Sequence, residues 1–331
     1  KLLYSICDPK RLLELMFSFI LYDEGIKKIA RYQQYYGITK TIKQIEDIGA
    51  SGKRKGGVIW HTQGSGKSLT MVMLAEQIAL SKKIKNPKII LVTDRIDLNS
   101  QITETFQKCN IPVEEASTGK HLIELLKNNS DAVVTTIINK FKAAVNQEPE
   151  GFGSSEIFVL IDEGHRSQYK TFNVKMQKTF PNGCFIAFTG TPLMKSEKNT
   201  ADKFGGVIDE YTIKDAVEDG AVVPLLYEGR HNSITVNEKP LDNFFEKVAE
   251  PLTKYGKAGL KRKYSSKNAI NKADQVIYDR AWDITEHFVN FIQGTGFKAQ
   301  LVAPNKTTAI LYRKYLNEIG KVTSDVVISA P

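Results

Sequence analysis

An α/β domain with a parallel sheet, helices on both faces and a phosphate-binding loop is what this sequence predicts. Three observations predict it. The runs "PKIILVTDR", "DAVVTTI", "EIFVLIDEGH" and "GCFIAFTGTP" are nearly continuous in apolar residues, the pattern of strands buried on both faces. Helical stretches separate them, which favours parallel pairing. The polar motifs fall at the strands' C-terminal ends, where open α/β sheets bind ligands.

Taken in order, residues 10–22 and 24–36 read as helices, followed by the polar stretch "DIGASGKRKGG". Val58-Ile59-Trp60 ends a buried strand, being apolar and rich in β-formers. Gln63, Gly64, Ser65 and Gly66 make a turn in which glycine lets the backbone approach a ligand. Lys67 and Ser68 open a helix whose apolar residues Leu69, Val72, Met73, Ala75, Ile78 and Ala79 recur at helical spacing. Backbone N–H groups at such a helix start hold phosphate. Lys67 then reaches the β- and γ-phosphates and the Ser68 hydroxyl ligates Mg²⁺. The strict pattern has a glycine where this chain has His61. A second strand ends at Thr93, Asp94 and Arg95, and a helix runs from about Leu98 to Cys109. The third strand carries Thr135 and Thr136, the fourth ends in Asp162-Glu163, and the fifth in Thr189 and Thr191. An acid at a strand end holds Mg²⁺ in nucleotide-hydrolysing sites, which suits Asp162, and Glu163 beside it can orient a water. By itself the pair also reads as a solvated strand end or a helix cap; Lys67 upstream favours the catalytic reading.

Beyond about residue 232 the texture turns helical or irregular and rich in lysine, and "FKAQLVAP" then reads as another buried strand before the helix "KTTAILYRKYLNEIG". The expected organisation is an N-terminal helical segment (1–45), a phosphate-loop domain (46–231), a basic connecting region (232–296) and the start of a second α/β domain (297–331).

The totals narrow the class. The 331 residues allow two domains, and the net charge of +9 favours a polyanionic partner. The cysteines Cys7, Cys109 and Cys184 are scattered, suggesting a reducing compartment, hence the cytoplasm, and neither a disulfide framework nor a metal site. No apolar run approaches the ~20 residues of a membrane span. The amphipathic start is interrupted by Asp8, Lys10, Arg11 and Glu14 and is not a signal peptide; it lacks an initiator Met, so a fragment or processed product is expected.

"WHTQGSGKS", "VTDRIDLNSQ", "VVTTIINKF", "IDEGHRSQ" and "AFTGTPL", in that order, resemble the motor (restriction) subunit of type I restriction-modification enzymes, a branch of helicase superfamily 2, over roughly residues 10–331. His61 at the first loop position is what that family carries. The resemblance implies two RecA-like domains, ATP with Mg²⁺ as cofactors, and translocation along double-stranded DNA ending in cleavage. It also implies a modification (methyltransferase) subunit and a specificity subunit as partners. Carried over residue by residue, Lys67 and Ser68 match the phosphate-loop pair. Asp162 is on Mg²⁺, Glu163 on the water, and His165 links the nucleotide to the sheet. Thr189 and Thr191 couple hydrolysis to DNA grip. Thr93, Asp94, Arg95, Thr135 and Thr136 meet the DNA backbone, and Thr118-Gly119 is either another such contact or a plain helix N-cap. "IARYQQYYGI" resembles the adenine-reading motif, with spacing to Gly37-Ile38 favouring Gln34 over Gln33. An amide that donates and accepts suits the N6 and N7 edge, and Arg31 could stack on the base; an ordinary amphipathic helix reads the segment too.

Two departures shape the expectation. No Glu is followed two residues later by Lys, and Asp8-Pro9-Lys10 lacks an upstream acid, so the family's nuclease is expected to be absent. Arg230, Arg280 and Arg313 lie in the wrong context for an arginine finger, so this chain alone is expected to hydrolyse ATP barely above background. The basic stretch Lys254–Lys267 is a DNA contact or a solvated linker. Competing readings are another superfamily 2 motor (type III restriction or repair helicase), a P-loop kinase or nucleotide-binding switch, and a DNA-binding scaffold with a degenerate site.

Overall fold

The computed structural model describes residues 6–128, 133–140, 152–163, 177, 179–190, 204–229, 250–251, 253, 255–257 and 274–329. They fall into two compact units, Lys1–Leu225 and Leu226–Pro331.

The first unit begins with α1 (Pro9–Ser18), capped by Asp8, whose carboxylate accepts from the Arg11 N–H. The helix expected over 24–36 does not form. A hairpin, β1 (Ile20–Asp23) and β2 (Ile26–Ile29), takes its place, with Asp23 opposite Ile26. Glu24 and Gly25 both have positive φ, 51° and 80°, which makes the tight turn that strand twist favours and no helix tolerates. The helix starts later, as α2 (Tyr32–Ile45).

Seven parallel strands follow: β3 (Gly57–His61), β4 (Lys88–Thr93), β5 (Val113–Glu115), β6 (Val133–Ile137), β7 (Ile157–Ile161), β8 (Cys184–Thr189) and β9 (Val207–Tyr211). Their order across the sheet is β5-β6-β4-β7-β8-β3-β9. Between them run α3 (Lys67–Leu80), α4 (Ile96–Lys108) and α5 (Gly119–Lys127), with the short α6 (Ile213–Glu218) after β9. The five expected strands are all present. On β7, Phe158 and Leu160 enter one core while Ile157, Val159 and Ile161 enter the other. On β8, Cys184, Ile186 and Phe188 join the first core and Phe185 and Ala187 the second. Successive strand residues face opposite sides, so both faces need apolar cover and the strands read as unbroken apolar runs. The first core is filled from α2, α3 and α4 (Ile38, Val72, Phe106), the second from α5 (Leu122, Leu126). This is the α/β class that the sequence predicts, a parallel sheet covered by helices on both faces.

The second unit contains α7 (Asp274–Phe291) and α8 (Lys306–Ile319), packed through Ile277, Ala281, Tyr312, Tyr315 and Leu316. The strand expected from "FKAQLVAP" is not formed. Phe297 and Val302 are largely exposed, and among the described residues this unit offers no strand to pair with. An apolar run becomes a strand only when a neighbour satisfies its N–H and C=O groups. Among the described residues no helix is long and apolar enough to cross a membrane.

Candidate active site

The ends of β3, β8 and β7 lie side by side, Trp60 opposite Thr189 and Ile161 opposite Ala187. Parallel pairing therefore brings to one edge three motifs that are spread over the chain from Lys67 to Thr189. The loop after β3 contains Gly64 (φ 81°) and Gly66 (φ 89°), a conformation that costs other residues dearly. Gly66 caps α3, and a Cβ there would lie 2.8 Å from Gln34 Nε2. Lys67 opens the helix and its Nζ donates to the His61 carbonyl at 3.4 Å. Gly190, directly after β8, makes room for that ammonium: a Cβ there would come within 2.9 Å of it and 3.3 Å of the Gln63 nitrogen. Gln63 and Ser68 are exposed and Ser65 is buried.

Asp162 and Glu163 follow β7 directly and are half-buried. The Asp162 N–H donates to the Val92 carbonyl at 3.0 Å, and Asp162 Oδ1 accepts from the Glu163 N–H at 3.0 Å. Glu163 has φ 53°, an uncommon conformation for a residue with a side chain and one that clusters at functional sites. His165 and Thr191 lie outside the described residues. Thr189 is buried at the end of β8.

The donor chemistry fits Mg·ATP. The helix start and Lys67 supply positive charge for phosphates, and Ser68 with Asp162 supplies one hydroxyl and one carboxylate. Mg²⁺ uses such a pair when phosphate oxygens complete its shell.

Gln34 sits at the centre of a different pattern from the one expected. Its Oε1 accepts from the Arg31 N–H at 2.9 Å, while its Nε2 donates to the Gly66 carbonyl at 3.1 Å and to Thr70 Oγ1 at 3.2 Å. Both amide hydrogens are thus used on the phosphate loop and its helix. One acceptor lone pair remains, enough to take an adenine N6 hydrogen but not to donate to N7. Gln33 Nε2 reaches the Ser65 carbonyl at 3.4 Å. Arg31 is exposed at the start of α2.

The residues expected to meet DNA sit on the neighbouring strand ends, β4 and β6, where Val92 pairs with Thr136. Their hydroxyls are not presented. Thr93, Thr135 and Thr136 are all buried. Thr93 Oγ1 donates to the Arg95 carbonyl at 3.3 Å, Thr135 Oγ1 bonds Thr103 Oγ1 at 3.0 Å across to α4, and the Thr136 hydroxyl is buried without a partner. The Asp94 side chain is largely covered and Arg95 is exposed, their charged groups 3.9 Å apart. Thr118 caps α5, its hydroxyl accepting from the His121 N–H, so the helix-cap reading holds.

Sequence reasoning missed two clusters beside the loop. Tyr32 and Tyr211 hydroxyls both donate to Asp219 Oδ2, at 2.5 and 2.9 Å. Burial, then the Asp219 hydrogen bond and charge, pushes both phenols above their usual range. The other is His61, whose Nε2 lies 2.8 Å from Asp209 Oδ2; Lys40 Nζ meets Asp209 Oδ1 at 2.6 Å. Burial raises the Asp209 carboxyl, but the His61 and Lys40 contacts outweigh it and leave the group below the usual carboxylate value. The one signal in the sequence was the histidine in a glycine position.

With this geometry in place, the SWI2/SNF2 ATPase family model matches residues 33–258. The chain is 33% identical to the HindI type I restriction enzyme endonuclease subunit of Haemophilus influenzae, over 95% of this chain and 32% of that protein. It is 30% identical to a MjaIXP endonuclease subunit of Methanocaldococcus jannaschii, over 96% of this chain and 31% of that one. The chain thus spans about a third of the curated relatives it matches. A solved nuclease-deletion mutant of the Type ISP restriction-modification enzyme LlaGI is 16% identical, with a TM-score of 0.46 over 89% of this chain and 29% of that one. The match to 33–258 takes in the phosphate loop, the Asp-Glu strand end and the Thr189 strand alike, and the chain belongs to the SWI2/SNF2 ATPase family.

Proposed function

We propose that this chain is the ATP-hydrolysing motor portion of a type I restriction endonuclease subunit, coupling hydrolysis to movement along double-stranded DNA in the cytoplasm. The observation that carries the reading is the placement of Lys67, and of Asp162 and Glu163, just beyond the C-terminal ends of β3 and β7, the two strands that flank β8. Bound Mg·ATP supplies the γ-phosphoryl group that passes to water. The N–H groups opening α3 and the Lys67 ammonium hold phosphate oxygens, with the positive helix end adding to the attraction. Ser68 and Asp162 hold Mg²⁺. Glu163 accepts a hydrogen bond from the attacking water and orients it. Gln34 takes the adenine amino hydrogen, with Arg31 beside the base. Thr189 and Thr191 couple the site to DNA grip, His165 links the nucleotide to the sheet, and Arg95 contributes a phosphate contact. In this reading residues 46–231 are the first motor domain, 232–296 a connector and 297–331 the start of the second. The partners are the modification and specificity subunits.

The test has two parts. Calorimetric titration of Mg·ATP into the chain should show binding that Lys67→Ala abolishes. In the assembled enzyme, linear duplex DNA should raise ATP turnover. A wild-type chain that binds no nucleotide, or turnover indifferent to DNA, would overturn the proposal.

A further inference from the structure

The glycine position of the phosphate loop that this chain fills with His61 is not a place where the backbone needs glycine. Gly64 and Gly66 take positive φ, whereas His61 does not. His61 is the last residue of β3, paired with Tyr211 on β9. Its side chain is completely buried. It turns away from the loop toward α2 and β9. There Nε2 meets Asp209 at 2.8 Å, and Asp209 meets Lys40 of α2 at 2.6 Å. A carboxylate at that distance accepts from Nε2, which therefore carries a hydrogen, while Nδ1 is buried with no partner. Gly37 of α2 lets the helix settle directly on this pair: a Cβ there would stand 3.2 Å from His61 Cε1 and 3.3 Å from Asp209 Oδ2.

The same helix touches the loop at its other end. Gln33 donates to the Ser65 carbonyl, and Gln34 donates to the Gly66 carbonyl and to Thr70. α2 is therefore fastened twice, nearly two turns apart: to the phosphate loop and its helix through the glutamines, and to the end of β3 through Lys40, Asp209 and His61. Resting on the nucleotide-binding reading above, we propose that His61 is a positioning residue that holds the adenine-side helix and the phosphate loop in one fixed register through Asp209 and Lys40. The histidine does not touch nucleotide. It sets the distance between the group that meets the base and the groups that meet the phosphates.

The consequence runs against the motif. Replacing His61 with the consensus glycine should weaken the site. The variant leaves a void under Gly37 and removes one of the two partners of a buried carboxylate. The loop and helix then sample registers that do not bind, and apparent affinity falls in proportion to the competent fraction. We expect His61→Gly and Asp209→Asn each to weaken Mg·ATP binding about tenfold, the scale set by an unpartnered buried polar group. Both should also lower the preference for ATP over GTP, because the base-side helix is what slips. His61→Gln, which keeps an N–H for Asp209, should recover most of both. Gly37→Ala keeps all three polar groups but wedges the helix, and should reproduce part of the loss.

The experiment is titration of Mg·ATP and Mg·GTP into the chain and these variants, with circular dichroism to confirm folding. If His61→Gly does not fold, Asp209→Asn and Gly37→Ala decide. Reduced affinity together with reduced ATP preference, restored in His61→Gln, supports the register role. Wild-type affinity and preference in folded His61→Gly or Asp209→Asn overturns it while leaving the nucleotide site intact. A wild-type chain that binds neither nucleotide overturns the site and the register role together.

Discussion

The two halves of one sheet edge use their polar residues in opposite ways. Beyond the ends of β3 and β7, with β8 between them, Lys67 and Ser68 stand at a helix start and Asp162 and Glu163 are half-exposed. At the ends of β4 and β6, Thr93, Thr135 and Thr136 are buried, two of them with internal hydrogen bonds. Both groups were expected to meet a ligand. The difference lies in the chemistry of the side chains. An ammonium or carboxylate costs far too much to bury alone, so one placed after a strand is held at the surface or paired. A threonine hydroxyl can bond a neighbouring strand or helix and vanish into the core, and its methyl group packs there like valine. Charged groups at strand ends therefore say more about function than hydroxyls at strand ends.

The hardest way to break that contrast is at Lys67. Lys67→Ala is expected to lower ATP turnover in the assembled enzyme by at least ~10², the scale for removing one preorganised electrostatic group, with the thermal midpoint nearly unchanged. A large loss of stability instead would mean that the lysine is held as part of the structure, like the threonines.

Glu163→Gln separates the two jobs within the charged half. A water-orienting carboxylate contributes about 10²–10⁴ in rate and little to ground-state affinity. Mg·ATP titration should therefore look like wild type while hydrolysis nearly stops. Because Glu163 occupies a left-handed conformation, Glu163→Gly is the companion: it should be at least as stable as Glu163→Gln and equally inactive. Equal turnover in Glu163→Gln and wild type would remove Glu163 from the mechanism.

Gln34 lies between the two patterns, buried like the threonines yet facing the loop. Gln34→Ala deletes three hydrogen bonds at once. It should weaken Mg·ATP by about 1–3 kcal/mol, as for a buried polar partner removed, and erase much of the preference over GTP. Loss of affinity for both nucleotides with the preference intact would assign Gln34 wholly to bracing the loop.

How much of this was legible before the structure follows the same division. Strands buried on both faces, such as "IFVLI" and "CFIAF", announce themselves because each residue must be apolar. The edge strands escaped: β5 reads "VEE" and β9 "VIDEY", and with one neighbour each they need little apolar cover. The hairpin at Glu24-Gly25 escaped because Glu24 is no turn signal, and its left-handed φ is set by the closing pair Asp23–Ile26. The placement of Lys67 at a helix start and of Asp162 and Glu163 at a strand end was legible from spacing and local context. The His61–Asp209–Lys40 link was not, since its members lie up to 169 residues apart and it takes the parallel pairing of β3 with β9 to bring His61 to Asp209.

The smallest effects test the β4–β6 half itself. Thr135→Val removes the bond to Thr103 and keeps shape and burial. It should cost about 1 kcal/mol of stability, the low end of the cost of leaving the buried Thr103 hydroxyl without its partner. It should leave the affinity for duplex DNA unchanged at every salt concentration. Arg95→Ala should do the reverse. Arg95 is exposed and its ion pair with Asp94 is long, at 3.9 Å, so stability should move by less than about 0.5 kcal/mol. Duplex DNA affinity should fall, and the slope of log affinity against log salt should become shallower by about one, since one phosphate contact releases about one counterion. The pair of measurements is decisive because each variant controls the other. If Thr135→Val weakens DNA binding with the salt slope unchanged, as loss of an uncharged contact would, the β6 end must open to expose its hydroxyls when DNA arrives. The buried threonines would then be a closed form of the grip, and the contrast between the two halves of the edge would belong to this conformation alone.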